Sequence, residues 1–312
     1  MKPFRLCLLL PLLLQLPVHA QSECKYSELL TLPVAKMKTA AALSVSGQIN
    51  GEAADMLLDT GAEKTFLVRR EMEKRKVVME GVPEMVRGVG GVQTVFAAKP
   101  REVGVGPILT RNKRFPVVDS LANLNVAAVL GSDFLLQTDM ELNLREGSVK
   151  FFQAKGCADR GLSYWDPDAM SVPLVEMQKG GRPIVEVMLN GVKGRALIDT
   201  GASRSIVKKH FAEKAGFSAD KAAPPVRMAG NGIGTEANDF WSADFDSFAV
   251  GSETIRKPQL QVISLPRHGD DTHDMILGLD FLWAHRLLIS VSQERMYFSY
   301  LGGDVFSSLK RW

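Results

Sequence analysis

An all-β fold built as two similar lobes is predicted by three observations. The segment "LLDTGAEKTFLV" (57–68) returns as "ALIDTGASRSIV" (196–207), which places Asp59 and Asp199 140 positions apart. At that same offset Asn50-Gly51 falls on Asn190-Gly191, and Val86-Arg87 on Val226-Arg227, without a gap. Short apolar runs separated by Gly, Pro and Ser fill much of the rest, which is the spacing of an all-β chain.

In each half the local pattern is that of a hairpin. Val45 and Ile49 alternate with Ser44, Ser46 and Gln48 at the strand period, and Val185, Val187 and Leu189 repeat it. Asn-Gly follows each run, and both residues accept the positive φ that a tight two-residue turn needs. The returning strands, "ADMLLD" and "GRALID", end on Asp59 and Asp199. "VRREMEKRK" (68–76) and "KKHFAEKAG" (208–216) have helical character, the second closed by Gly216. Further short strands are expected at "REVGVGPIL", "FPVVDS", "FAVGS" and "QLQVISL". "AVLGSDFL" (128–135) then matches "MILGLDFL" (275–282) at an offset of 147, so the second half has gained seven residues, an insertion that belongs in loops. The repeat as a whole reads as an internal duplication.

Residues 1–20 read as an export signal. Lys2 and Arg5 precede the apolar "LCLLLPLLLQL", and "VHA" ends at the small residue Ala20. The run is short for a membrane span, with an uncleaved anchor as the alternative. After cleavage, no stable membrane insertion is expected and the chain would be periplasmic or secreted. Cys24 and Cys157 are then the remaining thiols, and in an exported chain they form a candidate disulfide, although their distance in space is not legible in the sequence. The domain map is therefore a signal peptide (1–20), an N-terminal segment (21–35), a first lobe (36–153), a linker (154–172), a second lobe (173–302) and a tail (303–312).

Composition excludes several functions. With 46% hydrophobic and 23% charged residues, the 312-residue chain has material for about two cores. A net charge of +3, partly carried by the signal, gives no basic surface for nucleic acid, and "RREMEKRK" is a solvated helix face. His210, His268, His273 and His285 lack ligand-like spacing, so neither a metal nor a cofactor is expected. No G-x-S-x-G supports a serine nucleophile. Residues 232–237 spell G-x-G-x-x-A, but Pro224-Pro225 lie just upstream and no helix pattern follows, so a dinucleotide site is discarded.

Hydrophobic-hydrophobic-Asp-Thr-Gly-Ala, a glycine-rich segment about thirty residues on, and then a hydrophobic pair plus Gly occur in order in both halves. Together they resemble the retropepsin-like aspartic proteases. The resemblance implies two β-barrel lobes forming an intramolecular pseudo-dimer, with Asp59 and Asp199 as a catalytic dyad in the cleft between them. Thr60, Gly61, Ala62, Thr200, Gly201 and Ala202 would support the dyad. The segments 86–95 and 226–237 would be flaps, with Gly88, Gly90, Gly91, Gly230, Gly232 and Gly234 at their substrate-binding tips; an ordinary surface hairpin is the alternative for the second. Gly131 and Gly278 would lie under the active site, while Asp133 and Asp280 read as caps of the short helices that follow.

Two nearby carboxylates cannot both ionise, which is why such chemistry needs both halves. Ala62 and Ala202 carry no hydroxyl to stabilise the charged pair, so the expected optimum is about pH 5–7 rather than strongly acidic. The expected substrate is a protein or peptide and the expected assembly a monomer, with pairing of each lobe to a second chain as an alternative. A non-catalytic peptide-binding or scaffold protein is the rival function.

Overall fold

The computed structural model describes residues 23–37, 41–119, 124–175, 181–229, 232–234, 236–265 and 272–306. The expected signal and Gly230 lie outside them. Strands dominate and are arranged in three sheets.

In the first lobe the strand order is 79–88, 91–98, 115–118, 66–68, 128–130, 52–58, 43–49, 102–105 and 108–111, with Ala35–Lys36 added on Leu43–Ile49. In the second it is 226–229, 237–244, 259–263, 206–208, 275–277, 192–198, 184–189, 247–250 and 253–256. These two orders are the same, strand for strand. The expected helical stretches form Arg69–Lys74 and Lys209–Lys214.

Local chemistry sets the hairpins. Asn50 and Gly51 adopt φ of 55° and 85°, and Asn190 and Gly191 adopt 48° and 77°, the double positive φ that matches the twist of paired strands. The asparagine side chains do a second job. Asn50 Oδ1 accepts the amides of Arg101 and Glu102, and Asn190 Oδ1 accepts those of Asp246 and Ser247. Each turn thereby ties down the start of the strand that pairs beside it.

The strand that delivers each aspartate is central. Glu52–Leu58 lies between antiparallel Leu43–Ile49 and parallel Ala128–Leu130, and Val192–Ile198 lies between Ile184–Leu189 and Met275–Leu277. With neighbours on both edges and cover on both faces, its end reads as an unbroken apolar run. Met56, Leu58, Ala196 and Ile198 are almost fully buried. Burial of a Leu or Ile side chain contributes about 1.5–3 kcal/mol, so the aspartates are presented from a rigid support.

A third sheet joins the lobes. Its order is 25–33, 148–155, 139–143, 285–290, 295–300 and 170–173, so three strands of the N-terminal half lie side by side with three from residue 170 onward. Met140 pairs with Ile289 and Leu142 with Leu287 across the junction, and both lobes contribute to one continuous core. The segment 156–169 crosses one face of the sheet, where Cys157 and Leu162 cluster with Leu288 and Tyr297. Trp165 donates to Ser299, and the rings of Tyr164 and Trp165 flank the Arg286 guanidinium that pairs with buried Glu141. Cys24 and Cys157 are bonded, with Cα atoms 4.5 Å apart, so the segment is fastened to the sheet's outermost strand.

Candidate active site

Asp59 and Asp199 follow directly on their central strands. The Asp59 amide donates to Leu130 O at 3.1 Å, and the Asp199 amide donates to Leu277 O at 3.0 Å, so both residues leave the sheet at the same level. The chain then turns back, and the two turns interlock. Thr60 Oγ1 donates to Ile198 O at 2.7 Å and accepts the Thr200 amide at 3.1 Å. Thr200 Oγ1 donates to Leu58 O at 3.0 Å and accepts the Thr60 amide at 3.0 Å. All four bonds are buried and cross between lobes, which fixes one aspartate's position relative to the other.

Glycine follows each threonine because no side chain fits. A Cβ on Gly61 would sit 2.4 Å from the Asp199 carboxyl carbon, and one on Gly201 would sit 2.4 Å from that of Asp59. Each carboxyl group is therefore packed on the opposite lobe's glycine. The amides beyond point at the carboxylates: Ala62 N lies 2.9 Å from Asp59 Oδ1, while Gly201 N and Ala202 N lie 2.8 and 3.1 Å from Asp199 Oδ1.

Electrostatics then separates the two acids. Burial, first, and the nearby Asp59 charge, second, push Asp199 well above the usual carboxylate range. Burial also raises Asp59, opposed by the Ala62 and Gly61 amides and by a hydrogen bond with Asp199. That bond lifts Asp199 and lowers Asp59, so the two carboxyl groups differ in acidity and Asp199 is the more strongly raised. Ala62 and Ala202 add no hydroxyl.

Gly131 and Gly278 sit beneath the turns. Ser132 N donates to Ala62 O and Leu279 N to Ala202 O, both at 2.8 Å. Asp133 and Asp280 do not cap the short helices Ser132–Leu135 and Leu279–Leu282: the N-cap positions are Gly131 and Gly278, with no side-chain cap bond. These carboxylates reach the aspartate turns instead. Asp133 accepts the Thr65 hydroxyl and Asp280 the Ser205 hydroxyl, each at 2.6 Å, and Asp280 also accepts the Ser205 amide. The same hydroxyl oxygens accept the Gly131 and Gly278 amides at 3.2 and 3.0 Å. Thr65 and Ser205 were not singled out from the sequence, although both stand six residues after an aspartate and carry a hydroxyl.

The glycine-rich segments are the tips of two hairpins, Met79–Gly88 with Gly91–Ala98 and Val226–Ala229 with Ala237–Asp244. The tips meet each other. Gly90 N donates to Ile233 O at 3.0 Å, Glu236 N donates to Gly90 O at 2.9 Å, and Asn238 Nδ2 donates to Val89 O at 2.9 Å. At this crossing Gly234 has φ +96°, and a Cβ there would lie 1.9 Å from Gly90 O. Gly88 and Gly91 lie against Ile233 and Glu236, whereas a Cβ on Gly232 would meet only Val89, at 3.9 Å, so nothing there demands glycine. Ile233 packs with Val86 and Ala62 against a first-lobe cluster, so the second tip reaches over the first lobe. Neither Ile233 nor Asn238 carried a signal in the sequence, since their partners lie on the other lobe.

Comparison with known proteins agrees with this geometry. A family model described as gag-polyprotein putative aspartyl protease matches residues 45–137, and one described as aspartyl protease matches residues 185–281. No curated protein sequence gives a significant match. Among solved structures the chain is similar to the crystal structure of aspartic proteinase from Irpex lacteus, with TM-score 0.54 and 11% identity over 88% of this chain and 97% of that one. At that identity the likeness speaks for the fold alone. One aspartyl-protease match in each lobe, two lobes of one strand order and a shared aspartate turn place the chain in the retropepsin-like aspartic proteases, in a form that carries both lobes on one polypeptide.

Proposed function

We propose that this chain is an exported aspartic endopeptidase, formed by internal duplication, that hydrolyses peptide bonds with a water held between Asp59 and Asp199. One observation carries the reading: four buried threonine hydrogen bonds hold the two carboxyl groups together as one proton-sharing pair. In the proposed cycle, ionised Asp59 takes a proton from the water as its oxygen attacks the scissile carbonyl. Protonated Asp199 gives its proton to the carbonyl oxygen. The resulting diol collapses: Asp59 passes its proton to the departing amine, the C–N bond breaks, and a diol hydroxyl returns a proton to Asp199. The dyad ends as it began, with no covalent intermediate.

The substrate fits as an extended peptide between the dyad and the paired flaps, its backbone alongside the flap strands. Export is supported by the signal-like N-terminus and by the Cys24–Cys157 bond, which suits an oxidising compartment. We place the active enzyme as a monomer in the periplasm or secreted, without nucleic acid and without membrane insertion once the signal is removed.

Casein digestion, with and without a transition-state inhibitor of aspartic proteases, tests the activity. Inhibitor-sensitive cleavage is expected, with a profile peaking at about pH 5–7 because no hydroxyl lowers the dyad. Peptide binding with no cleavage at any pH would favour the non-catalytic scaffold, and activity confined to a dimer in size-exclusion fractions would favour pairing between chains.

A further inference from the structure

Beneath the two aspartate turns the lobes differ by one side chain. Ser132 and Leu279 hold the same place at the 147-residue offset, directly after Gly131 and Gly278. Their backbones act alike, each amide donating at 2.8 Å to the alanine carbonyl of its own lobe's turn. Both residues are fully buried. Only the serine has a side-chain proton to give. Its Oγ lies 2.8 Å from Thr60 O and 3.0 Å from Ala62 O, so one hydroxyl bridges two carbonyls of the first turn. Leucine in the matching place offers nothing to Thr200 O or Ala202 O.

Those two carbonyls bracket the amides that face Asp59. Ala62 N reaches Asp59 Oδ1 at 2.9 Å, and the Gly61 amide bonds the same carboxyl group. Thr60 O and the Gly61 N–H are the two ends of a single peptide unit. A donor on that oxygen draws electron density toward it and leaves the N–H a stronger donor, because linked hydrogen bonds polarise one another where burial weakens screening. A stronger Gly61 donor favours the ionised form of Asp59. Amide bonds by themselves do not single out this aspartate, since Asp199 Oδ1 accepts two, from Gly201 and Ala202 at 2.8 and 3.1 Å. The serine hydroxyl is the difference that works in the other direction.

We propose that Ser132 is a positioning residue that makes Asp59, rather than Asp199, the carboxylate bearing the charge, by bracing and polarising the turn whose amides face it. Two nearly equivalent lobes are thereby given unequal tasks, base in the first and acid in the second, through one hydroxyl. The consequence for catalysis rests on the endopeptidase reading of the same site; the consequence for the order of ionisation does not.

The test follows the aspartate carboxyl carbons by NMR as pH rises, in protein labelled with ¹³C at that carbon, the two dyad signals being assigned by their loss in Asp59→Asn and Asp199→Asn. The pH profile of kcat/KM on a peptide is recorded beside it. In the unaltered protein the Asp59 carbon is expected to shift first. Ser132→Ala should raise that first ionisation by about half a pH unit, leave the second in place, and carry the acid limb of kcat/KM with it. Ser132→Ala combined with Leu279→Ser moves the hydroxyl beneath the second turn and should make the Asp199 carbon shift first. An Asp199 carbon that already shifts first in the unaltered protein overturns the inference. So does a first ionisation unmoved by Ser132→Ala, even where kcat falls, since the serine would then be merely structural. The expected change in titration order with no cleavage at any pH sinks the endopeptidase reading and leaves this one standing.

Discussion

The two lobes use the same hydrogen bonds at the dyad and different ones a few ångströms away. Both aspartate amides bond a leucine carbonyl, both threonines reach across, and both aspartates accept an alanine amide, at 2.9 and 3.1 Å. Outward from there the lobes diverge. Ser132 Oγ donates to Thr60 O and Ala62 O, whereas the second lobe has Leu279 in that place. Asp133 is partly exposed and pairs with Lys113, while Asp280 is 7% exposed. The second flap reaches across the midline with Ile233. The shared part holds two carboxyl groups side by side, a demand that falls equally on both lobes. The brace below and the walls beside it face no such demand, so each lobe solves them with its own residues.

The largest expected effect comes from breaking the shared part. Asp59→Asn and Asp199→Asn should each lower kcat by about 10³-fold or more, because either one removes a partner in proton transfer. Circular dichroism should remain that of the folded protein. Near-normal turnover in either single variant would remove the shared-proton mechanism.

Next comes the lock. Thr60→Val or Thr200→Val leaves a buried amide and a buried carbonyl of the opposite lobe without partners, at about 1–3 kcal/mol for each group. Urea unfolding should show a loss of about 2–4 kcal/mol for each single variant and a double variant well short of the sum, since the two hydroxyls serve one interlocked unit. Additive losses would mean that the lobes are positioned by the six-stranded sheet alone.

The braces should separate the lobes more gently. Asp280→Ala strands the Ser205 hydroxyl and amide in a buried site and should cost about 2 kcal/mol. Asp133→Ala removes one hydroxyl contact and a half-exposed ion pair and should cost about 1 kcal/mol or less. Chemical denaturation of the pair decides it, and equal losses would mean that burial does not distinguish the two braces.

How much of this was legible in the sequence depended on whether the partner was near in the chain or repeated at a fixed offset. The Asn-Gly turns, the central apolar strands and the paired Asp-Thr-Gly-Ala segments each carry a local signature. The repeat then predicts that whatever one half builds, the other builds too. The braces escaped because Asp133 and Asp280 open short helices, where a capping role is the local expectation, and only the fold shows that Thr65 and Ser205 lie closer. The meeting of the flap tips escaped for a different reason: it joins residues more than 140 apart, Val89 and Asn238, that have no counterpart at the repeat offset. Contacts that break the pseudo-symmetry are the ones a duplicated pattern is least able to announce.

The smallest expected effect is on stability, and its sign follows from the raised acid. In the unfolded chain Asp199 ionises at about pH 3.9, whereas in the fold burial and Asp59 hold its proton well above that. As pH rises past about 4, the unfolded chain releases a proton that the folded chain retains, so folding loses stability up to the pH at which the folded acid ionises. Asp199→Asn has no proton to lose. It should match the unaltered protein in the acid range and exceed it in melting temperature toward neutral pH, with the gap growing as pH climbs. Asp139 and Asp280, also raised by burial, contribute the same slope to both proteins and drop out of the difference. A gap that is constant with pH, or that widens toward acid, would mean that Asp199 carries no extra proton in the fold, and the assignment of acid and base between the two lobes would have to be reversed or abandoned.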